Sequence, residues 1–422
     1  MINGIQSQHK KEILDTLYLL ALQGVNYVFP LLVFPYLMVT LGAEKFGFIG
    51  FSFSVIQYLM LIVDFGFNLS ATKRVALNIG NKEKLEQIVS STLFAKLGLM
   101  LLSFFILLFF AFAIPRFKIY SSTMLVMFLM VVANTFSFIW LFQGLGKIRI
   151  ISFVNIISKA LLLPLTFVLV KGPNDYLLAA AIQSAVYVLG AIITGVILVR
   201  SNYISNWFKT TFREIKIEIS ASYPIFLSTA AVSIYWASYA VILAYFTNPI
   251  EVGKYTAVEK IMRGLCSLIL IPVTQSFYPK ISSLSVHNTH EASKLIRKIS
   301  IFVFIMMLGV FIIMFFLSPY LVDFLGKDYK GTLAIFRIMS VIPIFIALGG
   351  VFGQLGILAM GTESDKKYFQ RTYFIAGIVA LLSILVLSPY LHAIGAAISL
   401  LLTELTVLLG MFWFSRKYLF YK

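Results

Sequence analysis

The sequence predicts an all-α polytopic membrane protein of about twelve transmembrane helices, arranged as two six-helix bundles around a central cavity. Three observations predict it. The chain of 422 residues is 60% hydrophobic and only 12% charged. A soluble domain of that composition would lack the charge to cover its surface. Apolar runs of about 20 residues, the length that crosses a bilayer, recur along the whole chain. Lysine and arginine are sorted between alternate loops.

Traced in order, the runs give spans 1 to 12 near residues 13–40, 46–69, 88–114, 120–144, 151–171, 176–199, 220–246, 254–277, 299–320, 332–360, 371–390 and 393–415. Span 1 follows a polar dozen residues. It is long, aromatic and continuous, with no small-residue cleavage site after a short apolar core, so it reads as a retained helix rather than a signal peptide. The loops are short. The longest expected on the cytoplasmic side are 200–219 and 278–298, and none is large enough to hold a catalytic domain.

The net charge of +17 would suit a nucleic-acid binder, but its placement argues otherwise. Counted over alternate loops starting at the N-terminus, one side holds 22 Lys and Arg and the other holds 7. That asymmetry places both termini in the cytoplasm and makes the charge a matter of topology and anionic lipid contact, with no nucleic-acid partner. The single cysteine, Cys266, falls inside span 8, and the histidines are dispersed. His287 and His290 lack companions that would complete a metal site, so neither a metal nor a cofactor is expected.

Three domains follow: a first bundle over 1–199, a basic amphipathic linker over 200–219, and a second bundle over 220–422. A weak internal repeat supports the division. LGAEKFGFIG at 41–50 matches NPIEVGKYTA at 248–257, which sets Gly47 against Gly253 at an offset of 206 and carries Arg74 onto Lys280. Ala180-Ala181-Ile182 likewise resembles Ala396-Ala397-Ile398. Transporters commonly place substrate between such repeats.

Charged and amide residues inside a span are costly unless they face a partner or a cavity. Five of the cations lie inside spans: Lys96, Lys159, Lys260, Arg263 and Arg337. At about 100° per residue, Thr256, Glu259, Lys260, Arg263, Ser267 and Thr274 share a face of span 8. Ser152, Asn155, Lys159 and Thr166 share a face of span 5, with Pro164 as a kink. Gln57, Asp64 and Asn68 align in span 2, and Gln23 and Asn26 in span 1. Lys159, Arg263, Arg337, Lys96 and Lys260 are therefore the candidate cationic ligands, and Gln23, Asn26, Gln57 and Asn155 the polar lining. Asp64, Glu259 and Glu404 are candidates for ion coupling or gating; Glu404 lies on the face of span 12 opposite its hydroxyls. The competing readings are snorkelling for Lys96 and Lys159, a salt bridge to Glu259 for Arg263, and interfacial anchoring for Arg337.

A cavity of this charge selects anions, and a diphosphate matches Lys as a point charge and Arg as a fork. Tyr27, Tyr58, Trp140, Tyr187, Tyr235, Trp236 and Tyr239 could stack on sugar faces, although most membrane aromatics face lipid or the interface.

PYLMVTLGAEKFGFIGFSFSVIQYLMLIVDFGFNLSATKRVA at 35–76 resembles the first two spans of the Wzx-type O-antigen and polysaccharide flippases, of the multidrug/oligosaccharidyl-lipid/polysaccharide exporter superfamily. EVGKYTAVEKI at 251–261 and SFYPKISSL at 276–284 are similar to the corresponding part of their second half. The resemblance implies alternating access without catalysis, in a bacterial inner membrane. It implies an undecaprenyl-pyrophosphate-linked oligosaccharide as substrate, moved from the cytoplasmic to the periplasmic face. Membrane lipids, a polysaccharide polymerase and chain-length proteins are the implied partners. A lipid II-type flippase is the nearest alternative, since its substrate shares the diphosphate. A membrane polymerase or glycosyltransferase is the alternative of another class, disfavoured because no sizeable loop or acid pair is present. Export of cationic drugs is disfavoured by the charge of the spans.

Overall fold

A computed structural model describes residues 2–201, 203–204 and 210–419. The side chains of residues 1–29 and of Ile148, Ser228, Ala231, Val232, Ile234 and Glu363 fall outside that description, so Gln23 and Asn26 lie outside the described side chains. The described chain is almost entirely helical, without a strand among the described residues.

Eight stretches are long and apolar enough to cross a membrane. The first belongs to the helix Ile2–Asp64 and its continuation Phe67–Leu77, and the last, Ser364–Leu419, lies within the helix Glu363–Leu419. Each of these holds two passes folded back at one residue. Gly42 (φ 71°, ψ 171°) makes the first reversal and His392 (φ 51°, ψ −129°) the second. Gly42 fits because it has no Cβ: one there would lie 2.4 Å from Oδ2 of Asp328, at a φ that L-residues disfavour. Phe212–Phe246 and Pro249–His287 supply two further passes, which brings the helical passes among the described residues to the twelve expected.

Three local expectations are corrected. The stretch 278–298 is not a loop. Helix Pro249–His287 runs out through it and is followed at once by Thr289–Phe316, with Asn288 alone between them. Asn288 accepts from the Glu291 amide at 3.0 Å and caps the new helix. Span 9 ends at Phe316, and a separate helix, Ser318–Leu325, fills the following connection. Span 7 also begins earlier than its apolar run. Its helix starts at Phe212, inside the 200–219 stretch, whose residues 202 and 205–209 lie outside those described.

The packing leaves large apolar side chains facing outward as well as inward. On Thr289–Phe316, Ala292, Ser293 and Ile296 are buried while Ile301, Ile305 and Phe316 stand exposed at about 60%. Lipid tails are as apolar as leucine, so helices associate here through close packing and polar contacts rather than hydrophobic burial.

The chain forms two compact units. One holds Ser52–Ala230 with the residues before Pro30; the other holds Pro30–Phe51 and Ala231–Lys422. In the first, Phe67, Val75, Val89, Trp140, Phe142 and Leu198 form a buried cluster. In the second, spans 2 and 8 cross at glycines. A Cβ on Gly47 would lie 2.0 Å from the Pro249 carbonyl oxygen, and one on Gly253 would lie 1.8 Å from that of Ala43. The repeat offset of 206 carries Ala43 onto Pro249 and Gly47 onto Gly253, so the two contacts are images of each other. Gly50 and Thr256, again 206 apart, touch one turn further on: a Cβ on Gly50 would lie 2.6 Å from Thr256 Oγ1. A repeat detected weakly in sequence is thus a local two-fold in the packing.

Candidate functional site

In the first unit the polar groups gather where two spans are interrupted. Span 2 breaks after Asp64, with Phe65 (φ 39°) and Gly66 (φ 82°) in the left-handed region before the helix resumes at Phe67. Gly66 is required sterically as well, because a Cβ there would come within 2.9 Å of the Ser222 carbonyl oxygen. Span 4 breaks between Leu129–Thr135 and Ile139–Gly144. Interrupted helices leave carbonyls without partners, and at membrane depth these must find protein or a cavity.

Lys96 answers both breaks. It is 1% exposed, donates from Nζ to the Asn134 carbonyl oxygen at 2.9 Å, and lies 3.6 Å from Asp64 Oδ1. The Asn134 amide donates to the same carboxylate oxygen at 3.0 Å. A carboxylate at a helix C-terminus is opposed by the helix dipole, so Asp64 needs these donors. Lys96 and Asp64 are therefore drawn together, each with a protein partner.

Beside this brace lies a cavity of about 170 Å³, lined by Asn134, Ser137, Asn155, Ser158, Lys159 and Tyr187 among others. Lys159 and Asn155 come from the polar face expected on span 5. Asn155 donates from Nδ2 to the Ile151 carbonyl oxygen at 3.0 Å. Gln57 is half-buried in span 2 and does not line this cavity. Asn134 was not singled out from the sequence, although a lone amide in an otherwise apolar stretch of span 4 is the signal that could have found it.

In the second unit the cluster forms on span 8. Arg263 donates from Nε to Glu259 Oε1 at 2.9 Å, and its guanidinium lies 4.0 Å from the centre of the Trp236 ring. Its two terminal nitrogens are buried and have no hydrogen-bond partner among the described residues. Glu404, 3% exposed on span 12, acts electrostatically on Arg263, and its Oε1 is likewise without a partner among the described residues. Lys260 sits over the Phe34 ring at 4.4 Å. Tyr239 donates to Thr403 Oγ1 at 2.7 Å and sets spans 7 and 12 side by side next to the cluster. Glu259, Lys260, Arg263 and Glu404 are thus brought together, and the two acids balance the two bases. Arg337 is not part of this group. It is exposed, with its guanidinium 5.4 Å from the Phe315 ring.

Twelve helical passes, interrupted spans and charged clusters held inside them define a polytopic membrane protein with intramembrane polar sites. Residues 14–285 match the family described as polysaccharide biosynthesis protein. A "Putative O-antigen transporter" of Escherichia coli (strain K12) is 33% identical over 405 residues, 96% of each chain. One of the same name from Shigella dysenteriae is 30% identical over 413 residues, 94% of this chain and 98% of its own. The chain belongs to this polysaccharide biosynthesis protein family. Among solved structures, an inward-facing multidrug resistance MATE family transporter of the MOP superfamily aligns with a TM-score of 0.69 at 13% identity, covering 94% of each chain. The lipid II flippase MurJ, in an inward closed conformation, aligns with a TM-score of 0.69 at 15% identity, covering 95% of this chain and 87% of its own. At such identities the likeness concerns the fold, which this chain shares with those transporters.

Proposed function

We propose that this protein is a flippase that carries an undecaprenyl-pyrophosphate-linked oligosaccharide from the cytoplasmic to the periplasmic face of a bacterial inner membrane by alternating access. Both termini lie in the cytoplasm in this reading. The domains 1–199, 200–219 and 220–422 are its two bundles and their linker. Its relatives named as O-antigen transporters and its fold, shared with a lipid II flippase, support the reading.

The single observation that carries it is Arg263. A buried guanidinium, fixed by Glu259 at Nε and by the Trp236 ring on its face, keeps the two terminal nitrogens of its fork for another acceptor. A diphosphate is the acceptor such a fork matches in both charge and geometry. Lys260, one residue beyond Glu259, adds a second positive charge. Lys159, in the first unit, is a further candidate cation, while Lys96 contributes by holding Asp64. Arg337 serves as a peripheral cation.

The same cluster offers a route to coupling. Glu259 and Glu404 neutralise Arg263, so a diphosphate competes with them for the guanidinium. A proton or cation taken up by either acid frees Arg263 for the diphosphate, and by reciprocity diphosphate binding favours that uptake, so release of the substrate returns the acids to Arg263. Asp64 is the corresponding candidate in the first unit.

Deletion of the gene in its own host tests the assignment. Surface polysaccharide should disappear and lipid-linked repeat units should accumulate at the cytoplasmic face, with restoration by the wild-type gene and not by Arg263→Ala. Undiminished surface polysaccharide in the deletion strain would overturn it.

A further inference from the structure

Span 12 begins at a tight reversal. His392 adopts φ 51° and ψ −129°, a conformation that a residue with a Cβ holds only where its surroundings impose it. The chain folds back so closely that a Cβ on Gly395 would lie 2.5 Å from the Leu387 carbonyl oxygen. The first N–H groups of a helix lack acceptors within it, and a buried one needs a partner elsewhere. Ala393, the first residue after the reversal, is buried, and its N–H donates to Oε2 of Glu251 at 3.3 Å.

Glu251 stands at the third position of helix Pro249–His287, which carries span 8. Asn248 Oδ1 accepts from its N–H at 3.1 Å, and Lys254 Nζ donates to its other carboxylate oxygen at 2.9 Å. One carboxylate, itself held by a neighbour, thus ties the start of span 12 to the start of span 8.

The charges further down these helices depend on that tie. Spans 8 and 12 run in the same direction, as two even-numbered passes do. Glu404 lies eleven residues beyond Ala393, and Arg263 twelve beyond Glu251. At ~1.5 Å per residue these are ~16.5 and ~18 Å, so the two charges reach one depth within a single residue's rise. Eleven residues are also about three whole turns, which sets Ala393 and Glu404 on one face. Both are buried there, with Ala397 and Leu400 between them.

Lipid does not supply this register. Its tails are as apolar as leucine, so a helix that slides by one residue exchanges one apolar outward side chain for another, while Glu404 turns ~100° away. Polar contacts between helices must fix it. Tyr239 on span 7 supplies one through Thr403. Glu251 supplies another from span 8, the helix that bears Arg263.

We propose that Glu251 is a positioning residue for the Arg263–Glu404 pair, fixing the register of span 12 against span 8 through the Ala393 N–H. This rests on the flippase reading of that pair and adds the residue that sets its geometry from about three turns away.

Two measurements on the full chain test it. Glu251→Ala should slow transfer of a fluorescent undecaprenyl-pyrophosphate oligosaccharide in proteoliposomes about tenfold. Glu251→Gln, whose amide oxygen still accepts from Ala393, should stay close to wild type. Glu251→Ala added to Glu404→Gln should slow transfer no further than Glu404→Gln does by itself, because the first acts through the second. Spin labels at the exposed positions Val286→Cys and Leu409→Cys, in nanodiscs and a Cys266→Ala background, read the register directly. Their distance should shift or broaden in Glu251→Ala and match wild type in Glu251→Gln. A double variant slower than Glu404→Gln, or an unchanged label distance in Glu251→Ala, would overturn the proposal. Wild type that transfers no lipid would overturn the flippase reading alone, and the label distances would then decide the register.

Discussion

Lys96 and Asp64 stand 3.6 Å apart, and between them they close the open ends of two broken helices. The ammonium caps the Asn134 carbonyl at the end of one segment of span 4, and the carboxylate ends one segment of span 2. Their burial is unequal: the side chain of Lys96 is 2% exposed and that of Asp64 27%. Removal of Asp64 therefore strands a charge in the protein interior, whereas removal of Lys96 leaves a carboxylate that reaches water.

Asp64→Leu should accordingly cost about 3–5 kcal/mol. Lys96→Met should cost less, and the double variant should recover most of the loss. Thermal unfolding of the purified variants in detergent measures the order. Equal losses for the two single variants would contradict the brace.

The glycine crossing makes a sharper steric demand. A Cβ at Gly47 would fall 2.0 Å from the Pro249 carbonyl oxygen, which is backbone and cannot swing aside. Gly47→Ala and Gly253→Ala should each force the helices apart and lower the yield of monodisperse protein severely. Gly98→Ala and Gly195→Ala, where a Cβ meets nothing within 4 Å, should change stability by no more than about 1 kcal/mol. Size-exclusion profiles of the four variants compare them directly.

The polar N-terminal end of helix Phe212–Phe246, ahead of the membrane-spanning run 220–246, carries a pH dependence. Glu218 is buried against Arg74 and Ser91. Burial pushes its carboxyl above the usual carboxylate range, and the charge of Arg74 with the hydrogen bonds from Ser91 and Arg74 offsets this only in part. A carboxyl raised in the folded state binds its proton more tightly there than in the unfolded chain. Its contribution to stability therefore rises as pH falls through the folded value, and levels off below the unfolded one near ~4.3. The melting temperature of wild type should thus gain a component between neutral and mildly acidic pH that Glu218→Gln lacks. Identical pH profiles for the two proteins would contradict this.

Topology can be read with introduced cysteines, because the native Cys266 is 2% exposed and should stay silent. Lys118→Cys should react with an impermeant thiol reagent in intact cells. Lys82→Cys should react only after the membrane is opened. The reverse pattern would invert the orientation drawn from the lysine and arginine asymmetry.

Much of this architecture is legible in the sequence, and the gaps have physical reasons. Hydropathy located the passes because lipid exposure demands apolar side chains at every outward position, as Ile301 and Ile305 show. It mistook 278–298 for a loop because a helix that leaves the membrane turns polar without ceasing to be a helix. The breaks in spans 2 and 4 were invisible for the converse reason: apolar runs report burial, not the continuity of backbone hydrogen bonds. The Gly47–Gly253 match pointed at a place where the repeats touch, since only glycine permits so close a crossing. The span 8 face brought Glu259, Lys260 and Arg263 together as helical spacing requires. Glu404 was placed on the wrong side of its own hydroxyls to suggest a partner, because its partner belongs to another span. Lys96 looked like a free cation for the same reason, and Asp64, far off in the chain, is what neutralises it.

The proposed flippase activity is movement of a diphosphate-linked glycan lipid that depends on Arg263. Proteoliposomes holding the purified protein and a fluorescent undecaprenyl-pyrophosphate oligosaccharide, with a membrane-impermeant quencher outside, measure it directly. Wild type should equilibrate the lipid between leaflets at least about tenfold faster than Arg263→Ala or protein-free vesicles, with Arg263→Lys in between. Transfer by Arg263→Ala at the wild-type rate, or none by wild type, would contradict the account.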